Sequence, residues 1–392
     1  MKRASCILGT ILLAVILGCG NHKQSTDGII TVDVTKSYPQ KELILQDFLD
    51  VEYILPDDTN DEFTTSGLIH YVGKENILVS NRRGGDIFIF DRNGIGLRKI
   101  NRTGQGPEDY TLLLRVLLDE DHNELYVNVA LSNKILVYDL FGKFKRSIGG
   151  NMYISPIANF DQDHLIGCGD IESPGFDQGI NRFLIISKQD GSVVKEIPIP
   201  YKEKKRHFVS DRSGRIIADG PPRHQLFIPC HDHWVLTEIS SDTIYRLMSD
   251  FRLIPFIIRT PPVQSMDPDV FLYPSVLTDR YYFMHTTEKT PIRTETGITY
   301  PMRDLMFDRQ EQALFEYIVY NGDFTTKKIV NLAFEGNFTP FFNQEIAFVN
   351  KFESYELVEA YGKGELKGKL KEIAAKLNEE SNPVIMVAKY KK

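Results

Sequence analysis

The densest set of potential metal ligands in the chain is Cys230-His231-Asp232-His233. A His-x-His pair can hold a metal from one face of a strand, and a centre then needs one or two further ligands. The sequence specifies none. The cluster falls between two apolar runs, Leu226–Ile228 and Trp234–Leu236, where a hairpin turn is expected. A solvated turn is therefore the better reading, with His231 and His233 kept as weak metal candidates.

The second chemical signal is Arg102 to Tyr110, RTGQGPEDY. A phosphate loop would need Gly-x-x-x-x-Gly-Lys-Ser/Thr and a following helix, whose N-terminus holds the anion. Here no lysine follows, and Thr111 to Leu118 reads as strand. Catalysis by the acidic pair is also disfavoured, because adjacent residues of extended backbone point to opposite sides, so Glu108 and Asp109 cannot share one substrate atom. The remaining reading is a corner. Gly104 and Gly106 permit unusual dihedrals and close approach, and Pro107 fixes its own φ and restrains Gly106. Such a corner can still lend Arg102, Glu108 and Tyr110 to a binding surface.

Other charged stretches carry weaker signals. Arg82 and Arg83 lie in a basic turn, Asn81 to Asp86, that could meet an anionic sugar or partner. Lys202 to His207 (KEKKRH) is a basic loop, diluted by Glu203, that could touch anionic head groups. Asp57 to Glu62 is acidic but lacks the internal glycine and closing glutamate of a calcium loop, and reads as a linker. Neither a Gly-x-Ser-x-Gly elbow nor a His-Glu-x-x-His motif occurs. No catalytic set and no cofactor are expected from these residues.

The elements that must position these groups are short strands. Asp86–Gly94, Lys134–Gly142 and Arg182–Gly191 are similar apolar runs ending in a polar turn and glycine, with Gly94 and Gly142 separated by 48 residues and Gly191 a further 49 on. Several strands per unit at this period are the signature of a propeller blade. A four-stranded sheet cannot bury both apolar faces alone; stacking the sheets in a ring buries them between neighbours.

The expected fold is all-β, a six-bladed β-propeller over residues 41–392. The units span about Ser66–Ile100, Thr111–Ile148, Ile154–Ile199, His224–Ile258, Phe271–Phe334 (with an insertion near Lys289–Met306) and Phe338 to the end. The last unit lacks a fourth strand and the run Leu43–Leu55 lacks a blade, so the N-terminal run is expected to close the sixth sheet. RTGQGPEDY then joins the outer strand of blade one to the inner strand of blade two. One helix is expected over Gly364–Glu380: Leu366, Leu370, Ile373, Ala374 and Leu377 form a single stripe, which suits packing on the propeller. Asn382-Pro383 ends it.

The order of these pieces resembles the six-bladed β-propeller lipoproteins of Gram-negative bacteria, relatives of the NHL and TolB-like propellers. The resemblance rests on G-Q-G-P with an acid and Tyr110, a strand ending Leu118-Asp119, Leu125-Tyr126-Val127, Val137-Tyr138-Asp139-x-x-Gly142, and Asn382-Pro383-Val384-Ile385-Met386. It covers about residues 40–392. One departure is Pro107-Glu108-Asp109-Tyr110, where the family pattern has Pro-Gly-Glu-Tyr. The resemblance implies architecture and an envelope location more than an activity.

The N-terminus agrees with that location. Lys2 and Arg3 precede the apolar Ile7–Leu17, and Leu17-Gly18-Cys19 reads as a lipobox. Cleavage after residue 18 would leave Cys19 to carry the lipid anchor, with 19–40 as a polar tether, and would take the formal net charge from −7 to −9 by removing Lys2 and Arg3. Such a balance gives no reason to expect nucleic acid. Cys168 and Cys230 remain, as a disulfide or as two thiols. The reading is thus an outer-membrane lipoprotein, on either face of that membrane. Its partners would be the membrane, through the anchor, and a glycan, peptide or envelope protein bound without catalysis. The alternative is a hydrolase or lyase with a channel site, with or without a metal.

Overall fold

The computed structural model describes residues 28–391 apart from 59–60, 82–83, 130–133, 150–153, 170–181, 207–208, 211–215, 219–224, 231, 296 and 334–340. It is a six-bladed β-propeller with few helices. Blade one is Leu68–Val72, Asn76–Ser80, Ile87–Asp91 and Gly96–Ile100, paired antiparallel in that order. Blade two (Leu113–Asp119 to Phe144–Gly149), blade three (Ile154–Asn159 to Val193–Pro198), blade four (Phe227–Pro229 to Leu253–Thr260) and blade five (Val270–Leu277 to Ala313–Tyr320) repeat the arrangement. Middle strands such as Glu124–Val129 are buried on both faces, because each blade is sandwiched between two others; outer strands such as Gly96–Ile100 alternate.

The turn before each outer strand explains the sequence repeat. Asp91 Oδ1 accepts from the amides of Asn93 and Ile95, both at 2.8 Å, and Asp139 Oδ1 accepts from Phe141 and Lys143 at 2.8 and 2.9 Å. Gly94 and Gly142 sit at φ +88° and +78°, a region that glycine enters without strain. Each of these glycines also abuts the end of the preceding blade's outer strand: Gly142 meets Ile100, and Gly94 meets Leu55.

That last contact places Leu55 at the end of an outer strand, and the pairing agrees. β3 (Leu49–Ile54) pairs antiparallel with Val384–Tyr390, which pairs with Ile346–Phe352, so the N-terminal strand closes blade six as expected. The segment before it does more than the sequence suggested. β1 (Ile30–Asp33) and β2 (Gln40–Ile44) add parallel fifth strands to the outer edges of blades four and five. Ile30–Asp33, read as tether, is folded, and the start of the Leu43–Leu55 run belongs to blade five. The chain thus belts half the rim before it enters blade one. Buried Asn382 fastens the belt: its Oδ1 accepts from Thr65 N at 2.8 Å, and its Nδ2 donates to the Asp57 and Phe63 carbonyls at 3.2 and 3.1 Å.

The single helix expected over Gly364–Glu380 is instead part of a helical pair between the last two strands. After α1 (Leu45–Phe48), which joins β2 to β3, come α2 (Ser354–Gly362) and α3 (Gly368–Ala374). Gly364 and Gly368, at φ +71° and +53°, interrupt what the apolar stripe suggested was continuous. The stripe itself packs as read, with Leu366, Leu370, Ile373 and Ala374 buried against blade six. The blade-five insertion is a hairpin, Ile292–Thr294 with Gly297–Thr299. Among the described residues no helix is long and apolar enough to cross a membrane.

Polar side chains tie neighbouring blades. Glu124 receives Arg146 through two bonds, 2.7 and 2.6 Å, and Tyr126 Oη at 2.9 Å; Lys145 joins them. Arg146 also reaches blade three, donating to the Lys188 carbonyl at 2.7 Å, while Lys188 Nζ returns to Asp119 of blade two at 2.7 Å. Burial raises the Glu124 pKa, but these donors outweigh it and hold the carboxyl at about 2. Buried His70 bonds Ser80 Oγ at 2.7 Å through Nε2 and accepts from Val116 N of blade two at 3.4 Å through Nδ1. Burial and the nearby Arg115 charge bring its pKa down to about 3, so it is neutral.

Candidate functional site

RTGQGPEDY joins the outer strand of blade one to the inner strand of blade two, as a corner. It folds around Asp109 and Tyr110. Asp109 pairs with Arg102 at 3.1 Å and accepts from Gly106 N at 3.3 Å. A Cβ on Gly104 or Gly106 would stand 2.4 or 2.7 Å from the Asp109 carboxylate, so both glycines serve close approach; neither has positive φ. Tyr110 is fully buried, and its hydroxyl donates to the Gly85 carbonyl at 2.6 Å and accepts from Arg102 N at 3.0 Å. It is the anchor of the corner and not part of a surface. Tyr138 Oη holds the corner from blade two, donating to the Glu108 carbonyl at 2.6 Å. Of the surface proposed there, Arg102 is half-buried in its ion pair and the Glu108 side chain is exposed. Arg82 and Arg83 lie outside the described residues.

Successive turns of an up-and-down blade alternate between the two faces of the disc. The corner lies on the face of the Asn81–Asp86 turn. The blade-four turn that carries Cys230 and Asp232 lies on the opposite face, and there the structure opens into a cleft of about 790 Å³. Blade four supplies Cys230, Asp232, His233 and Phe256; blade five supplies Leu277 to Arg280, Tyr282 and Arg309; blade six supplies Glu345, Tyr390 and Lys391. α1 of the belt adds Asp47 and Phe48. The size and mixed lining are those of a ligand site. No sequence motif unites these residues, since they are scattered along the chain from Asp47 to Lys391.

The cleft's arginines are held in place. Arg309 lies over the Tyr282 ring at 5.2 Å and donates to the Asp279 carbonyl at 2.6 Å. Arg280 lies over Tyr281 at 4.8 Å and pairs with the buried Asp308 at 3.3 Å; Lys41 of β2 completes that pair at 2.8 Å. Phe256 packs edge-on to Tyr282 at 5.2 Å.

Of the two weak metal candidates, His231 lies outside the described residues and His233 lines the cleft. His233 Nδ1 bonds Asp232 at 2.6 Å, and its ring is edge-on to Phe256 at 6.5 Å. Burial lowers the His233 pKa, with the Arg246 charge acting in the same direction against Asp232. Cys230 and Cys168 are not joined in a disulfide. Burial pushes the Cys230 thiol up to about 12, the opposite of what a nucleophile beside histidine needs. No group of three or more His, Cys, Asp or Glu among the described residues is placed to hold a metal ion.

The KEKKRH loop is not a free basic surface. Lys204 faces Glu238 at 3.6 Å, Lys205 pairs with Asp269 at 2.8 Å, and both are largely covered. Lys289 of the blade-five insertion donates to the Arg206 carbonyl at 2.6 Å. Lys204, Lys205 and Arg206 thus brace blades three, four and five.

These features define a six-bladed propeller closed by its N-terminal strand, with a composite cleft between blades four, five and six. The chain belongs to the DUF4934 family, a domain of unknown function, whose family model matches residues 29–389. No curated protein matches it. Among solved structures it is similar to a protein of Bacteroides fragilis NCTC 9343 described as exported, at 14% identity and TM-score 0.60, covering 93% of this chain and 100% of that one. It is also similar to a DUF4221 family member of Bacteroides vulgatus (13%, 0.47, 88% and 98%) and to virginiamycin B lyase of Staphylococcus aureus (11%, 0.39, 88% and 100%). At these identities the likeness is one of fold.

Proposed function

We propose that this protein is a lipid-anchored envelope propeller that binds a ligand in the cleft between blades four, five and six, without catalysis. The observation that carries the reading is the cleft itself: four aromatic side chains, Phe48, Phe256, Tyr282 and Tyr390, gathered from three blades and the belt into one cavity of about 790 Å³. Its arginines are locked by stacking and ion pairs, which preorganises the walls, and its thiol is held protonated.

The anchoring half of the reading rests on Leu17-Gly18-Cys19 and agrees with the exported description of the Bacteroides fragilis relative. Three acyl chains on Cys19 would give stable anchoring, at ~0.8 kcal/mol per buried methylene. A membrane-facing lipoprotein of the outer membrane fits both.

The test is calorimetric titration of the chain with panels of short peptides and oligosaccharides, repeated on Asp279→Trp, which places an indole in the cleft mouth. A ligand bound by the native chain and lost in the variant supports the reading. Binding unchanged by the variant, or no binding from either panel, would overturn it.

A further inference from the structure

The charges at the cleft mouth deepen this reading, and the occupant they specify depends on the cleft being a binding site. Arg280 is paired with Asp308. Arg309 is stacked on Tyr282 and bonded to a carbonyl, contacts that fix its position and leave its charge. Asp232 is hydrogen-bonded to His233, whose pKa burial lowers, so the carboxylate keeps its charge. The carboxylates of Asp47, Asp279 and Glu345 are exposed and make no hydrogen bond or ion pair among the described residues. Lys391 is the one exposed ammonium facing these three among the described residues.

The cavity therefore has an aromatic and aliphatic wall, and an uncommitted charge that is predominantly negative. A neutral sugar would leave that charge unanswered, and an acidic ligand would be repelled by it. A side chain with an apolar stem and a cationic head answers both, burying its methylenes on Phe48, Tyr282 and Leu277 while its head stays at the rim. We infer that the occupant is an extended basic peptide segment, in which Lys or Arg alternates with apolar residues.

The experiment titrates the full chain calorimetrically with three hexapeptides alternating phenylalanine with lysine, serine or glutamate. The lysine peptide should bind best, and the glutamate peptide at least about tenfold more weakly. In the triple variant Asp47→Asn, Asp279→Asn, Glu345→Gln the preference should vanish, a loss of roughly tenfold for three exposed charges. All three positions are on the surface, and an unchanged melting temperature verifies folding.

Equal binding of all three peptides, still blocked by Asp279→Trp, would overturn the basic-peptide inference and leave the cleft as the binding site. Binding that ignores both sets of substitutions, or no binding at all, would overturn both.

Discussion

Gly94 stands against the Leu55 carbonyl so closely that a Cβ there would lie 2.1 Å from the oxygen. Its counterpart one blade on is Gly142, which meets the Ile100 side chain. Leu55 therefore occupies in blade six the place that Ile100 occupies in blade one, although it comes from the opposite end of the blade's sequence. The ring is closed by the N-terminal strand β3, and this contact lies at the closure.

Gly94→Ala should accordingly be costly. It forces a side chain into positive φ and into the Leu55 carbonyl, and a loss of about 2 kcal/mol or more is expected in denaturant unfolding. Gly362→Ala, at a helix end with open space around it, should stay within about 0.5 kcal/mol.

The Tyr110 hydroxyl is the second anchor. Tyr110→Phe leaves the Gly85 carbonyl and the Arg102 amide without their partner, at about 1–2 kcal/mol. Glu108→Ala, with its side chain in water, should leave the melting temperature unchanged. A cost for Glu108→Ala equal to that of Tyr110→Phe would show that the corner is held otherwise.

Acid should act through two groups. His70 is held neutral in the fold at a pKa of about 3, below its unfolded value. Its contribution is complete above about pH 6.5 and is lost as pH falls, because the unfolded chain takes up a proton that the folded chain refuses. His70→Asn should be less stable at pH 7 yet lose less stability between about pH 6.5 and 4 than the native chain.

Glu124 works lower on the scale. Its folded pKa, about 2, is below its unfolded value, so its contribution is present above about pH 4.5 and lost as pH falls through 2. Glu124→Gln should cost about 2 kcal/mol at pH 7, less than a fully buried pair because Arg146 keeps part of its surface in water. Its stability should also be flatter from pH 4.5 to 2. A variant that tracks the native profile over that range would contradict the ion-pair account.

The fold was legible wherever a local rule had to be obeyed. Asp91-x-x-Gly94 and Asp139-x-x-Gly142 stand out because positive φ and an amide-capping carboxylate leave few residue choices. β1 was not legible: Ile30–Asp33 is four residues long and gains its meaning only from Leu253–Thr260, far along the chain. The helix reads as longer than it is because an apolar stripe continues across Gly364 and Gly368, while the backbone does not. Tyr110 reads as a surface group from its polar neighbours, and only tertiary packing buries it. The cleft was least legible. Only Cys230, Asp232 and His233 pointed toward it, since Asp47, Asp279, Arg309 and Tyr390 meet through blade order and carry no common spacing.

The most direct test of the account is cleft occupancy. A random hexapeptide display library would be selected on the native chain and, in parallel, on Asp279→Trp with unchanged melting temperature. The account predicts enriched sequences rich in Lys or Arg among apolar residues on the native chain, and their loss on the variant. Equal enrichment on both proteins, or none on either, would contradict it.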